Sequence, residues 1–80
     1  MYNALPMTFA EELSLQRKKL HLSQEDVGKS IGVSRTYITL IENGKRMPSK
    51  KHLLKIAEAL KVKRHEVINW YLQDLRHKLS

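Results

Sequence analysis

Gln24 to Ile41 reads QEDVGKSIGVSRTYITLI, and the fold turns on this stretch. Val27 and Ile31 stand four apart on one face of a short helix. Ser23 is its expected N-cap, and Gln24, Glu25 and Asp26 suit the positive start of a helix. Gly32 breaks that helix, because glycine alone takes a left-handed conformation at no steric cost. Val33 and Ser34 bridge at once to the next helix, with Ser34 as its cap, Ile38 and Ile41 as its buried stripe and Asn43-Gly44 as its end. Two helices joined by so short a turn cross steeply, at roughly 90–120°. A steep crossing needs a small residue where the backbones approach, and Gly28 is there. It leaves Arg35, Thr36, Thr39 and Leu40 exposed on the second helix, with Tyr37 at the edge.

Outward from this pair the periodicity stays helical. Before it, Thr8 with Glu11 three residues later makes a capping-box pattern, and Phe9, Leu13 and Leu20 recur near helical spacing to about His21. After it, Lys45 to Ser49 is a basic loop whose Pro48 precedes the Ser49 cap of a fourth helix. Leu53, Ile56, Ala57 and Leu60 share one face there, and Val62 is placed to plug the core before a fifth helix over about 64–78. No stretch alternates as a half-buried strand does. The expectation is an all-α domain of five short helices over residues 8–80, preceded by a loose arm over residues 1–7.

Composition narrows the functional classes. Eighty residues hold one small domain, and at this size only about 60% of the unfolded surface is buried on folding. With no cysteine there is no disulfide framework, thiolate nucleophile or cysteine-based zinc site. No apolar run approaches the roughly 20 residues of a membrane helix, so neither a membrane nor a leader is expected and the location reads as cytoplasmic. Fifteen Lys+Arg against eight Asp+Glu give a net charge of +7. That balance suits a polyanion, although charge alone does not separate DNA, RNA and anionic lipid. The side chains exposed on the second helix of the pair do favour a duplex. In a major groove Arg pairs with guanine, Thr serves several bases, and apolar carbons meet thymine methyls.

An enzyme finds little support. His21, His52, His65 and His77 never fall four apart on a helix. His65-Glu66-Val67-Ile68-Asn69 approaches the metalloprotease H-E-x-x-H, but Asn69 stands where the second histidine belongs. No phosphate-binding glycine loop or Ser/His/Asp set can be assembled, and no cofactor or small-molecule ligand is expected. With only Tyr2, Phe9, Tyr37, Trp70 and Tyr71 as aromatics, the chain also lacks the stacking platform of a single-strand RNA binder.

At residue level the stretch resembles the helix-turn-helix of the phage-repressor and Cro-type (XRE-like) DNA-binding family. Leu13…Arg17…Leu22-Ser23-Gln24 before it and Ile41-Glu42-Asn43-Gly44-Lys45-Arg46…Pro48-Ser49 after it are similar to the family's flanks. So is Leu53-Leu54-Lys55-Ile56-Ala57-Glu58-Ala59-Leu60, for a resemblance over about residues 9–69. The resemblance implies that Ser34, Arg35, Thr36, Thr39 and Leu40 face base edges of double-stranded DNA. It implies phosphate contacts for Gln24, Tyr37, Asn43, Lys45 and Arg46. It makes Arg17 and Glu42 a structural ion pair linking the first helix to the end of the third. The expected function is that of a homodimeric transcriptional regulator, with repression favoured over activation because occluding a promoter needs no further surface. The same domain also serves in antitoxins and restriction-modification controllers, and fold alone does not choose among them. Three departures from the family pattern carry expectations of their own. Gln16 replaces an aliphatic residue, so the first helix should pack more loosely. Gly28 replaces the commoner Ala, at up to about 1 kcal/mol of helix propensity. Lys63 replaces a capping Ser or Thr, so the fifth helix should start raggedly.

The fifth helix exceeds what a minimal domain needs. Ile68, Leu72, Leu75 and Leu79 step by four, three and four, and Val67, Trp70 and Tyr71 lie beside them. At 100° per residue these side chains cover an arc of about 200°, twice the stripe that docks one helix. The surplus points to a two-fold partner, with Ile68, Trp70, Tyr71, Leu72, Leu75 and Leu79 as the expected dimer interface. The competing expectation is that Trp70 and Tyr71 fold back over the first and fourth helices of a monomer.

Overall fold

The computed structural model describes the backbone of residues 7–79 and the side chains of residues 7–75. Residues 1–6 of the expected arm, and the Leu79 side chain assigned to the dimer interface, lie outside the described residues. Five helices follow in order: α1 (Phe9–Lys19), α2 (Gln24–Ile31), α3 (Arg35–Glu42), α4 (Lys50–Ala59) and α5 (Arg64–Leu79). No strand occurs among the described residues, and none of their helices is long and apolar enough to cross a membrane. The domain is the all-α, five-helix bundle that the periodicity anticipates.

Local chemistry sets each helix start. The Thr8 hydroxyl accepts the Glu11 N–H at 3.1 Å, while the Glu11 carboxylate accepts the Thr8 N–H at 2.9 Å. Ser23 and Asp26 repeat that reciprocal box at 2.9 Å in both directions. These bonds hold the exposed Asp26 carboxyl below its ordinary range, because the Ser23 N–H favours its charged form. Ser34 accepts from the Tyr37 N–H and Ser49 from the His52 N–H.

Helix ends share one geometry. After α1, His21 at φ 57° donates its N–H to the Lys18 carbonyl, and the Leu22 N–H reaches Arg17 O at 3.1 Å. After α4, Lys61 at φ 57° and Val62 bond to Glu58 O and Ala57 O in the same way. Gly32 with Val33 closes α2, and Gly44 with Lys45 closes α3. Each is a paired closure that satisfies the last carbonyls of its helix. This closure ends α1 at Lys19, two residues short of the expected His21, since a left-handed residue stops the helical run.

The core joins one apolar face of every helix. Phe9 and Leu13 of α1, Val27 and Ile31 of α2, Ile38 and Ile41 of α3, Leu53 and Ile56 of α4, and Val67 of α5 are all buried. Each such side chain contributes about 1.5–3 kcal/mol of transfer free energy. Val62 is half-buried against this cluster, between α4 and α5 as anticipated. Helix α5 docks on α1 through aromatic edges. Trp70 and Tyr71 lie 6.3 Å and 6.5 Å from the Phe9 ring, both nearly perpendicular to it. Their packing is therefore used within the chain. The outward apolar arc narrows to Ile68, Leu72 and Leu75, which are 39%, 45% and 43% exposed.

One expectation about the departures needs correction and another needs extending. Gln16 does not loosen α1. Its Nε2 donates to the Leu60 carbonyl at 3.2 Å, tying α1 to the end of α4 with a hydrogen bond that an aliphatic side chain would lack. Gly28 is likewise more than a propensity cost. A Cβ there would stand 2.8 Å from the Val33 carbonyl oxygen, so the turn closes as tightly as it does because that atom is absent.

Candidate nucleic-acid interface

Helix α3 owes its placement to the turn before it. The Val33 N–H donates to the Gly28 carbonyl at 2.8 Å, folding the chain directly back over α2. Ile38 and Ile41 then anchor α3 in the core, leaving Ser34, Arg35 and Thr36 exposed and Thr39 and Leu40 half-exposed. The five residues expected at base edges thus lie along one turn-to-turn strip of α3 and its cap.

A relay of hydrogen bonds, charge-assisted at Arg17 and Glu42, fixes this strip from behind. The Arg17 guanidinium grips Glu42 at both carboxylate oxygens, Nε to Oε2 at 2.7 Å and Nη2 to Oε1 at 3.0 Å. Its Nη1 donates to the Leu22 carbonyl at 2.8 Å, so the α1–α2 connection is held too. The pair is largely shielded, with 11% and 6% side-chain exposure. Glu42 raises the Arg17 pKa through that hydrogen bond, against a smaller opposing effect of burial. Gln24 passes the constraint onward: its Nε2 donates to Glu42 Oε1 at 3.1 Å, and its Oε1 accepts from Thr39 at 2.8 Å. Arg17, Glu42, Gln24 and Thr39 therefore form one continuous chain from scaffold to strip.

The relay has consequences for what each group offers outward. Thr39 has one hydroxyl proton, directed to Gln24 or to the Arg35 carbonyl at 3.1 Å. It presents lone pairs and a methyl group to a ligand, not a donor. Gln24 keeps its second amide proton, which suits a phosphate oxygen. Beside it lies a hollow of about 430 Å³, lined by Arg17, Ser23, Gln24, Glu25 and Arg35.

A second cluster borders the strip on its other side. The Arg46 guanidinium lies 4.8 Å over the Tyr37 ring, a cation–π contact that orients both. The Tyr37 hydroxyl lies 3.0 Å from His52 Nδ1, with the two rings edge to face at 5.1 Å. The Ser49 hydroxyl also lies 3.2 Å from that nitrogen. Asn43, Lys45 and Arg46 are exposed around the α3–α4 loop. From Lys45 to Arg64 the sequence holds eight basic residues against the single acid Glu58. The structure thus brings Tyr37 and Arg46 together and adds Ser49 and His52, which the sequence reading did not place here. A cap-plus-three spacing links Ser49 to His52, but nothing in the sequence ties position 37 to position 52.

An α3 set across α2 by a three-residue turn, exposed on its outer strip and braced from behind, defines a helix-turn-helix domain. A family model described as helix-turn-helix matches residues 13–67, and the chain belongs to that family, in its XRE, phage-repressor branch. The ImmF control region 10 kDa protein of Bacillus phage phi105 is 50% identical over 42 residues, 52% of this chain and 47% of that protein. The cryptic phage CTXphi transcriptional repressor RstR of Vibrio cholerae serotype O1 is 32% identical over 73 residues, 91% of this chain and 65% of RstR. The chain thus spans less than two thirds of the length of these two relatives. The P22 c2 repressor protein, solved in complex with synthetic operator 9T, superposes with a TM-score of 0.73 at 29% identity, over 78% of this chain and 94% of that one.

Proposed function

We propose that this protein is a sequence-specific double-stranded DNA-binding regulator of transcription that acts as a homodimeric repressor on a near-palindromic operator. The observation that carries the reading is the α3 strip, braced from behind by the Arg17–Glu42–Gln24–Thr39 relay while Arg35 and Thr36 stand exposed on its outer side. In this reading Ser34, Arg35, Thr36, Thr39 and Leu40 meet base edges, and Gln24, Tyr37, Asn43, Lys45 and Arg46 hold phosphates. The repressors among its relatives support the choice of repression. The outward Ile68, Leu72 and Leu75 of α5 supply the surface that pairs two copies, setting half-sites about 10–10.5 bp apart.

Selection from random duplexes tests the reading and should return a near-palindrome. On that operator Arg35→Ala should cost about 1–3 kcal/mol and relax preference at one base position. Lys45→Ala should weaken all duplexes alike and lower the salt slope by about one. Affinity and preference both untouched by Arg35→Ala would remove α3 from the groove.

A further inference from the structure

The cluster at the α3–α4 junction contains a group for which phosphate contact alone gives no role. His52 is half-buried, and its Nδ1 lies within hydrogen-bond distance of two hydroxyls, Tyr37 at 3.0 Å and Ser49 at 3.2 Å. Neutral imidazole with its proton on Nε2 has one in-plane lone pair at Nδ1. A Tyr37 hydroxyl that donates to it points its only proton inward. With a proton on Nδ1 the bond reverses, the phenol oxygen accepts, and the phenolic proton is free to point outward.

We infer that His52 is a positioning residue for Tyr37: taking up a proton, it turns the Tyr37 hydroxyl into a donor to a DNA phosphate and makes backbone affinity rise with acidification. The inference rests on the DNA-binding reading and extends it to a residue outside the expected contact set. The bookkeeping is one proton from solvent, bound at Nδ1 and held by the complex more tightly than by the free protein.

The surroundings of His52 favour that coupling. From α3 it meets the Tyr37 phenol, and the α3–α4 loop brings the Arg46 guanidinium stacked on that phenol. α4 itself also carries Lys50, Lys51, Lys55 and Glu58, all exposed. The helices packed on α4 carry the exposed Glu25, Asp26 and Lys29 on α2, and the exposed Arg64, His65 and Glu66 with the buried Asp74 on α5. A phosphate seated at Tyr37 and Arg46 accepts from the phenol that a proton on Nδ1 frees, so the duplex and the proton each strengthen the other's binding. The linkage has a definite sign. Affinity gained through a group whose protonation is favoured in the complex is greatest at low pH and is lost as pH rises through the histidine range.

The test uses the whole chain and a 20-bp random-sequence duplex at fixed ionic strength, because a backbone contact needs no operator. Between pH 8 and pH 5.5 the wild type should tighten by about three- to tenfold more than His52→Gln does, the difference removing the part due to the other histidines. Tyr37→Phe keeps the ring under Arg46 but lacks the hydroxyl, and should flatten the profile in the same way. Proton NMR of the wild-type imidazole needs no variant, and should show His52 titrating at higher pH with duplex than without. An unchanged His52 titration on adding duplex, or a full acid response retained by His52→Gln or Tyr37→Phe, overturns the inference and leaves DNA binding standing. No duplex binding at any pH removes the DNA-binding reading and this inference with it.

Discussion

The α2–α3 pair and the helices that carry it are built to different tolerances. In the pair, each unusual backbone position holds the residue its geometry demands. Gly28 sits where a carbonyl presses in, and Gly32 and Gly44 occupy the left-handed closures. The pair's half-buried Gln24 and Glu42 are bonded to each other, and Glu42 is gripped by Arg17 of α1. In the supporting helices the same left-handed closures are made by His21 and Lys61, which pay a steric penalty for their Cβ. On α5 three large apolar side chains face outward. The difference marks where precision matters. A recognition strip must be held to a fraction of an ångström, whereas the scaffold has only to remain folded and present its outer face.

Breaking the link between the two regions should have the largest effect. Glu42→Ala leaves Arg17 shielded without its carboxylate and detaches Gln24, so stability should fall by about 3–5 kcal/mol. Removing both partners should cost less than the sum of the single changes, measured by a double-mutant cycle in denaturant. A strictly additive cycle would mean that the relay is not one unit.

Within the pair, Gly28→Val should cost about 1–3 kcal/mol, since the added atoms meet the Val33 carbonyl and Ser34 backbone with no flexible neighbour to give way. Circular-dichroism melts measure it. A melting temperature equal to wild type would show that the turn opens freely, and the contrast in tolerance would disappear.

On the scaffold's outer face, the same kind of substitution should scarcely touch folding. Leu72→Glu with Leu75→Glu should change monomer stability by no more than about 0.5 kcal/mol each while abolishing self-association at micromolar concentration. Sedimentation equilibrium on both proteins decides. A monomeric wild type, or an unaltered dimer in the double variant, would place the interface elsewhere.

This contrast also explains what the sequence disclosed. Helix starts were readable from Thr8, Ser23, Ser34 and Ser49, because a cap is a local rule satisfied within four residues. The turn was readable because Gly28 and Gly32 leave few alternatives. Arg17 and Glu42, far apart in the chain, were paired only through family resemblance. The role of Gln16 was misjudged, since its partner is a backbone carbonyl 44 residues away and no side-chain pattern advertises a carbonyl. The Tyr37–His52 contact escaped because its side chains sit on different helices, where no spacing rule joins them. Trp70 and Tyr71 belonged to an arc whose members periodicity could not divide between an inner and an outer partner. Phe9 divides them.

The smallest effect should come from making the scaffold resemble the pair. His21 and Lys61 hold φ near 57°, a region costing an ordinary residue about 1–2 kcal/mol, while glycine there loses part of that gain through the freedom of the unfolded chain. Both residues are exposed, and the closing hydrogen bonds come from backbone that glycine retains. His21→Gly and Lys61→Gly should therefore each stabilise the domain by about 0.5–1 kcal/mol, raising the melting temperature by about 2–8 °C. Gly32→Ala, at φ 77° with open space around it, should move in the opposite direction by a similar amount. The three melts belong together, because they ask one question of three equivalent closures. A fall in stability for His21→Gly would mean that its side chain contributes more than its backbone strain costs. The supporting helices would then be as finely fitted as the pair they carry.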